Sequence, residues 1–151
     1  MDQKSALPEK ATNLFLNGYN CAQSVLLAMF EHWNCKNDLI PKIASGFGGG
    51  IGMCGSTCGA LIGGVMALSI KYGSNDPSAE KRQECYRLVK NLYKQFEAKH
   101  GTVLCRQLIE YDLSTRKGLE EARKANVFDE KCPIFVRTVI QVLIDIDERA
   151  V

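Results

Sequence analysis

The sequence predicts an all-α fold, a single-domain helical bundle, on the basis of three observations. Its 151 residues suffice for one domain with a substantial hydrophobic core. Apolar residues recur at helical spacing in several segments, and no segment shows the sustained apolar–polar alternation of a strand. The chain contains no internal repeat and no low-complexity tract. We therefore expect residues 1–151 to form one domain whose helices pack around a shared core.

The first third of the chain predicts two helices followed by a short one. The first helix covers about residues 5–16 and stops before Gly18, because glycine commonly terminates helices. Asn20 is a good N-cap for the second helix, which has an apolar face. Pro41 favours the start of a short helix that leads to Phe47.

A buried helix is predicted in the middle of the sequence. It covers about residues 56–72, is apolar nearly all round and ends at Gly73, a pattern typical of a helix inside a core. Asp76 then caps a long helix with a proline in its first turn. We expect that helix to run to about Lys99 and to end at Gly101.

The last third predicts one short and one long helix. Thr102 is suited to cap a short helix, and residues 114–126 are polar enough for a loop with one or two helical turns. Asp129 is suited to cap the last helix. Its apolar residues at helical spacing are Val136, Ile140, Leu143 and Ile146.

Composition and charge exclude several classes of function. The formal charge of +2 is too small for a nucleic-acid-binding protein, and no block of like charge exceeds three residues. The N-terminal segment lacks the apolar stretch of a signal peptide. The longest apolar stretch, residues 59–70, is too short to cross a membrane. We expect a cytoplasmic protein with no membrane and no nucleic-acid partner.

The cysteine content gives the first indication of function. An odd number of cysteines without a secretion signal argues against a simple disulfide scaffold, and clustered cysteines in a reducing compartment favour metal or redox chemistry. The seven are Cys21, Cys35, Cys54, Cys58, Cys85, Cys105 and Cys132.

Four of these cysteines share a predicted position in the first turn of a helix. Cys21 follows the predicted cap Asn20, and Cys58 lies one or two residues into its helix. Cys105 and Cys132 each come three residues after their predicted caps. Unpaired backbone N–H groups and the positive end of the helix dipole lower a thiol pKa there. Since the thiolate is the nucleophile and the metal ligand, this position favours a thiolate site.

The segment GGGIGMCGSTCGALIGGVM, residues 48–66, favours packing over phosphate binding. The Gly-Lys-Ser/Thr end of a nucleotide-binding loop is absent, so we expect no nucleotide. Cys54 and Cys58 are four residues apart, a spacing that can bring two sulfurs within reach of a metal or of each other. Small residues recur every fourth position and form a stripe on which another backbone can approach closely. That stripe consists of Gly55, Gly59, Gly63 and Ala67.

At this point the sequence resembles a known family. The matching residues are the stretches GYNCA, at 18–22, and CGALIG, at 58–63, together with Cys105 and Cys132. They are similar to the C_GCAxxG_C_C family, a family described as redox-active. Here the motif reads Cys-Gly-Ala-x-x-Gly, with the first two letters in the reverse order of the family name. The resemblance implies a small cytoplasmic redox protein whose four family cysteines are Cys21, Cys58, Cys105 and Cys132, and Cys54 is extra to that set.

The first functional hypothesis is a metal site for electron transfer. Four thiolates from four helix starts, Cys21, Cys58, Cys105 and Cys132, are suited to hold an iron–sulfur cluster or an all-cysteine zinc ion. Soft sulfur ligands exclude magnesium and calcium. Nearby glycines, Gly55 and Gly59, would offer backbone N–H groups to the cofactor. A haem is not expected, because the C-x-x-C-H motif is absent.

Two further hypotheses remain open. A thiol–disulfide protein would use Cys58 as the attacking residue with Cys54 or Cys21 as its partner. The other hypothesis is a non-catalytic helical structural or interaction domain with buried cysteines. The sequence does not decide between an oxidoreductase and an electron-transfer component, and it names no redox partner. A homodimer is compatible with the glycine-striped helix, which could pack on its own copy.

Overall fold

A computed structural model of the protein describes residues 3–150, and over that range the all-α prediction is confirmed. The described chain contains no named strand. It forms α1 (Gln3–Leu16), α2 (Cys21–His32), a 3₁₀ helix (Lys42–Phe47), α3 (Gly59–Tyr72), α4 (Ala79–His100), α5 (Cys105–Ile109), α6 (Arg116–Lys124), α7 (Val127–Glu130) and α8 (Cys132–Arg149). Between residues 3 and 150, none of the helices has the length and apolar character needed to cross a membrane.

Three helices, α2, α3 and α8, run in the same direction. Their first residues line one cavity. At their other ends, Asp147 of α8 accepts hydrogen bonds from Trp33 Nε1 at 3.0 Å and from Tyr72 Oη at 2.6 Å. Lys71 Nζ donates to the same carboxylate at 2.5 Å. We call these four residues, Trp33, Lys71, Tyr72 and Asp147, the Asp147 cluster.

Two helices, α1 and α4, run in the opposite direction around these three. An ion pair joins Lys4 of α1 to Glu148 near the end of α8, whereas Phe15 lines the cavity at the start of α8. In α4, Cys85 lies beside Ser69 of α3, and His100 contacts Thr138 near the start of α8. The core therefore lies between five long helices, and α8 packs against each of the other four.

Small residues let α3 lie close to its neighbours. A Cβ atom added to Gly63 would lie 2.6 Å from the carbonyl oxygen of Ala22 in α2, far inside a normal contact. On another side of α3, a Cβ on Gly64 would lie 2.7 Å from Val139 of α8. Gly59 and Gly63 of the predicted stripe thus face α2, but Gly55 precedes the helix.

Helix starts were predicted less well than helix ends. Asn20 caps α2 in a capping box with Gln23, and Gly73 and Gly101 close α3 and α4 as predicted. The buried helix, however, begins at Gly59 rather than at about residue 56, and α4 begins at Ala79. Asp76 does not cap α4, because its carboxylate accepts the N–H of Ser78 in a local turn before the helix.

The other two predicted caps were also wrong. Thr102 Oγ1 accepts the N–H of Leu104, and α5 starts one residue later with no side-chain cap. Asp129 lies inside the short α7, and Lys131 occupies the cap position of α8. The polar stretch at 114–126 contains the nine-residue α6, capped by Thr115, and is more helical than predicted.

Candidate functional site

A cavity of about 340 Å³ lies at the N-terminal end of the three parallel helices. All four family cysteines line it, so we call it the four-cysteine cavity. Its other lining residues are Phe15, Asn20, Ser45, Gly48, Gly49, Gly52, Met53, Gly59, Leu108, Ile109, Leu113, Phe128 and Phe135. Within the described chain, none of these lining side chains is a Lys, Arg, His, Asp or Glu.

Each of the four cysteines stands at the start of a different helix, as predicted, although Cys58 was expected one or two residues inside its helix. Cys21, Cys105 and Cys132 are the first residues of α2, α5 and α8, and Cys58 immediately precedes α3. Cys58 and Cys105 are buried, whereas Cys21 and Cys132 are half-buried. The four helix starts thus bring to one place thiols that are up to 111 residues apart in sequence, from position 21 to position 132.

The expected lowering of the thiol pKa values at these helix starts was wrong. Burial raises the pKa of Cys21, although backbone N–H groups of Gly49, Cys21, Ala22 and Ala60 act in the opposite direction. Burial also raises the pKa of Cys58 well above its usual range. The helix ends therefore do point N–H groups at the sulfurs, but removal of the thiolate from water outweighs them.

The cavity thiols also raise one another's pKa values. After burial, the charge of Cys21 is the next cause for Cys58 and for Cys105, whose pKa rises to about 11. Burial and then the charges of Cys21 and Cys105 raise the pKa of Cys132. Because no cationic side chain lines the cavity, one thiolate disfavours the next. At neutral pH the protein alone holds four neutral thiols there.

Cys58 and Cys105 are fixed relative to each other by a short antiparallel pairing of two loops. The N–H of Cys58 donates to Val103 O at 2.8 Å, and the N–H of Cys105 donates to Ser56 O at 2.7 Å. Thr57 and Leu104 form the bridge between these two bonds. Diagonal positions in such a pairing lie about 7–8 Å apart, beyond the usual Cα separation of a disulfide.

The loop that precedes Cys58 contains a left-handed segment, residues 49–53. All five residues have positive φ angles between 54° and 68°. Glycine tolerates this conformation, but Ile51 and Met53 lie in it at a cost of about 1–2 kcal/mol each. Backbone bonds from Gly52 to Gly46 and from Gly55 to Gly49 hold the segment.

Glycines next to the cavity leave room for sulfur-bearing side chains. A Cβ on Gly50 would lie 2.6 Å from Cys105 Cβ, and one on Gly59 would collide with Cys21 Sγ. A Cβ on Gly49 would collide with Met53 Sδ and lie 2.9 Å from Met53 Cα. The absence of a side chain at these three positions therefore leaves space for the side chains of Cys21, Met53 and Cys105.

The remaining predicted site residues lie apart from the cavity lining. Cys54 is exposed, in the turn before α3, and it does not line the cavity. Gly55 lies outside the lining and its carbonyl accepts the N–H of Arg106 at 3.1 Å. Cys35 is exposed, and Cys85 is buried in α4.

No set of three or more His, Cys, Asp or Glu side chains within residues 3–150 is arranged to hold a metal ion. Sequence reasoning also missed Met53 as a lining residue. Its only signal was its place beside Cys54 in the glycine-rich segment, and glycine spacing does not reveal a left-handed turn. The roles assigned to the cysteines stay predictions.

Comparison with known proteins agrees with this set of cysteines. Residues 19–146 match the family described as "Putative redox-active protein (C_GCAxxG_C_C)". The chain belongs to this family. The matched region contains all four cysteines of the cavity.

Relatives add little about chemistry. A curated protein of Archaeoglobus fulgidus, described as an uncharacterized protein, is 27% identical over 117 residues, which cover 72% of this chain and 77% of that protein. No solved structure matches the chain.

Proposed function

We propose that this member of the redox-active family is an electron-transfer protein whose four-cysteine cavity holds an iron–sulfur cluster. The ligands would be Cys21, Cys58, Cys105 and Cys132. The observation that carries the proposal is that four helix starts present these thiols to one cavity with no charged lining side chain. Cysteine thiolates are the standard ligands of such clusters.

The arrangement of the thiols favours a cluster over a single ion. They line a space of about 340 Å³, which is far larger than one metal ion occupies. A zinc ion would need four sulfurs at about 2.3 Å from one point. A cluster distributes its ligands over several iron atoms and suits thiols placed around a cavity.

Charge balance favours metal over a free thiolate. The pKa of each cavity thiol is raised, chiefly by burial, and no protein cation lines the cavity. Metal ions supply the missing positive charge and deprotonate a coordinating thiol. A bound cluster would supply one-electron chemistry.

The chain's own groups would set the environment of that chemistry. Backbone N–H groups of Gly49, Ala22 and Ala60 face the sulfur of Cys21, and those of Ala60 and Leu61 face Cys58. Hydrogen bonds to ligand sulfurs tune reduction potentials. Apolar side chains, which include Phe15, Leu108 and Phe135, form part of the cavity wall.

One observation favours a second candidate, a dithiol formed by Cys21 and Cys58. The sulfur of Cys21 lies against Gly59, the residue that follows Cys58, and its charge raises the pKa of Cys58. A raised pKa leaves little thiolate to attack a disulfide at neutral pH, so we place this function second. The exposed Cys54 is not part of it.

Anaerobic purification followed by visible absorption spectroscopy tests the proposal. We expect a brown protein whose absorbance bleaches with dithionite. Cys58→Ser and Cys105→Ser should lose the colour, because each removes a buried ligand. Cys35→Ser and Cys54→Ser serve as matched controls and should retain it.

A colourless protein, after purification and after reconstitution with ferrous iron and sulfide, would overturn the cluster. Mass spectrometry of the oxidised protein would then test a bond between Cys21 and Cys58. Colour that survives both serines would contradict the ligand assignment.

A further inference from the structure

We infer that Met53 closes the four-cysteine cavity toward solvent and limits the access of small solutes to its thiols. The inference rests on the proposed function in one respect, that this cavity is the reactive site. Met53 is half-buried and lines the cavity. The residues on either side of it, Gly52 and Cys54, are exposed, and Gly52 also lines the cavity, so Met53 stands where the cavity wall meets the protein surface.

The backbone around Met53 is built to hold its side chain there. Met53 has a φ of 66°, in the left-handed region that side chains rarely adopt. A glycine would occupy this position without strain, as glycines do at 49, 50 and 52. Residues held in such conformations cluster at functional sites. The side chain of Met53 is the feature that a glycine would lack.

A neighbouring residue is shaped to receive this side chain. A Cβ on Gly49 would collide with Met53 Sδ, so the sulfur lies directly over the backbone of residue 49. Gly49 itself lines the cavity, and its N–H faces the sulfur of Cys21. Met53 therefore covers the part of the loop that contacts a cavity thiol.

The outer side of the loop is anchored independently of the cavity. Arg106 Nη2 donates to the carbonyl of Cys54 at 3.3 Å and pairs with Asp112 at 3.2 Å. The N–H of Met53 donates to Gly48 O at 3.1 Å. None of these contacts involves the Met53 side chain, so a substitution at Met53 leaves them in place.

Ile51 provides a matched control. It lies in the same left-handed segment with a φ of 65°, but its side chain is exposed and does not line the cavity. Met53→Gly and Ile51→Gly therefore relieve the same kind of backbone strain, and only the first removes a side chain from the cavity wall.

The test is the rate of alkylation of the metal-free protein by iodoacetamide at pH 9, followed thiol by thiol by peptide mass spectrometry. In Met53→Gly we expect alkylation of Cys21 and Cys58 to accelerate by about tenfold or more, since reactivity follows exposure. Ile51→Gly and Met53→Leu should react at the wild-type rate.

An unchanged rate in Met53→Gly would overturn the inference, as would an equal acceleration in Ile51→Gly. Acceleration in Met53→Leu equal to that in Met53→Gly would also overturn it, because leucine retains the bulk of the side chain. The readout requires no bound metal. A colourless protein would thus remove the iron–sulfur proposal while leaving this measurement to decide the role of Met53.

Discussion

The two ends of α2, α3 and α8 differ in the partners that their ionisable side chains have. At the C-terminal end, one carboxylate, Asp147, accepts hydrogen bonds from Trp33, Tyr72 and Lys71. At the N-terminal end, four thiols line a cavity with no charged side chain. The same three helices are therefore fastened at one end, while the thiols at the other end face backbone N–H groups but no cationic side chain. The C-terminal ends of these helices therefore contribute stability, and their N-terminal ends form the candidate site.

The two ends should also respond to pH in opposite directions. Burial alone would raise the pKa of Asp147, but the donors Lys71, Tyr72 and Trp33 outweigh it and hold that pKa below its usual value. Burial raises the pKa of Cys105 to about 11. A lowered carboxyl pKa gives stability that is lost as pH falls, and a raised thiol pKa gives stability that is lost as pH rises.

Asp147→Ala should produce the largest loss of stability. It leaves the half-buried Tyr72 and Trp33 donors without their acceptor and opens the ends of the three helices. Since hydrogen bonds to a charged group contribute about 1.5–3 kcal/mol and are not additive, we expect a loss of about 2–3 kcal/mol. Urea unfolding measures it, with Asp145→Ala, an exposed acid on the same helix, as the control. Equal losses in both variants would show that the cluster does not fasten the bundle.

The free energy of unfolding should fall at both alkaline and acid pH. The alkaline limb of this curve comes from the cavity thiols and the acid limb from Asp147. Between pH 7 and pH 10, the Cys105 thiol alone should lose about 1 kcal/mol from the free energy of unfolding, because it ionises near pH 9 unfolded and near 11 folded. Cys105→Ala should flatten this alkaline limb. Asp147→Asn should flatten the acid limb, below about pH 4, where the unfolded carboxyl takes up a proton.

Chemical unfolding of the metal-free protein at a series of pH values measures both limbs, with Cys35→Ala as the control for the alkaline one. If Cys105→Ala leaves the alkaline limb unchanged, the cavity thiols are not the groups that lose stability there.

Lys71→Met should have the smallest effect, below about 1 kcal/mol. Lys71 Nζ bonds Asp147 and lies 4.7 Å from the centre of the Trp33 ring, but its side chain is 34% exposed, so water screens the pair. Trp33 and Tyr72 would still satisfy the carboxylate. Thermal denaturation beside Lys94→Met, an exposed lysine on α4, measures it. A loss as large as that of Asp147→Ala would mean that the ammonium group dominates the cluster.

The sequence predicted helix existence and helix ends better than helix starts. Gly73 and Gly101 end their helices as predicted, because a single glycine is enough to terminate a helix. Asp129 and Thr102 failed as caps, since a polar side chain can serve a turn as readily as a helix. The four cysteines nevertheless stand at helix starts, because a boundary error of two or three residues stays within the first turn.

The candidate site was predictable in its cysteines and not in its environment. The residue types and the family resemblance identified Cys21 and Cys58. The predicted lowering of their pKa values was wrong, because the burial that raises them depends on how α1, α5 and the loops close over the cavity. The role of Met53 could not be predicted. Residue spacing indicates which side chains share a face only in right-handed helices and in strands, and residues 49–53 form neither.

The parallel course of α2, α3 and α8 has a consequence for the electric field of the molecule. Three helix N-termini meet at the cavity, and each presents the positive end of a dipole of aligned peptide groups. The antiparallel α1 and α4 contain nearly as many residues, so the dipoles largely cancel at a distance. The field is therefore strong for a charge inside the cavity and weak for a molecule approaching from outside. Long-range attraction of a charged partner would depend on the surface side chains, whereas the helix dipoles would stabilise only a negative charge inside the cavity.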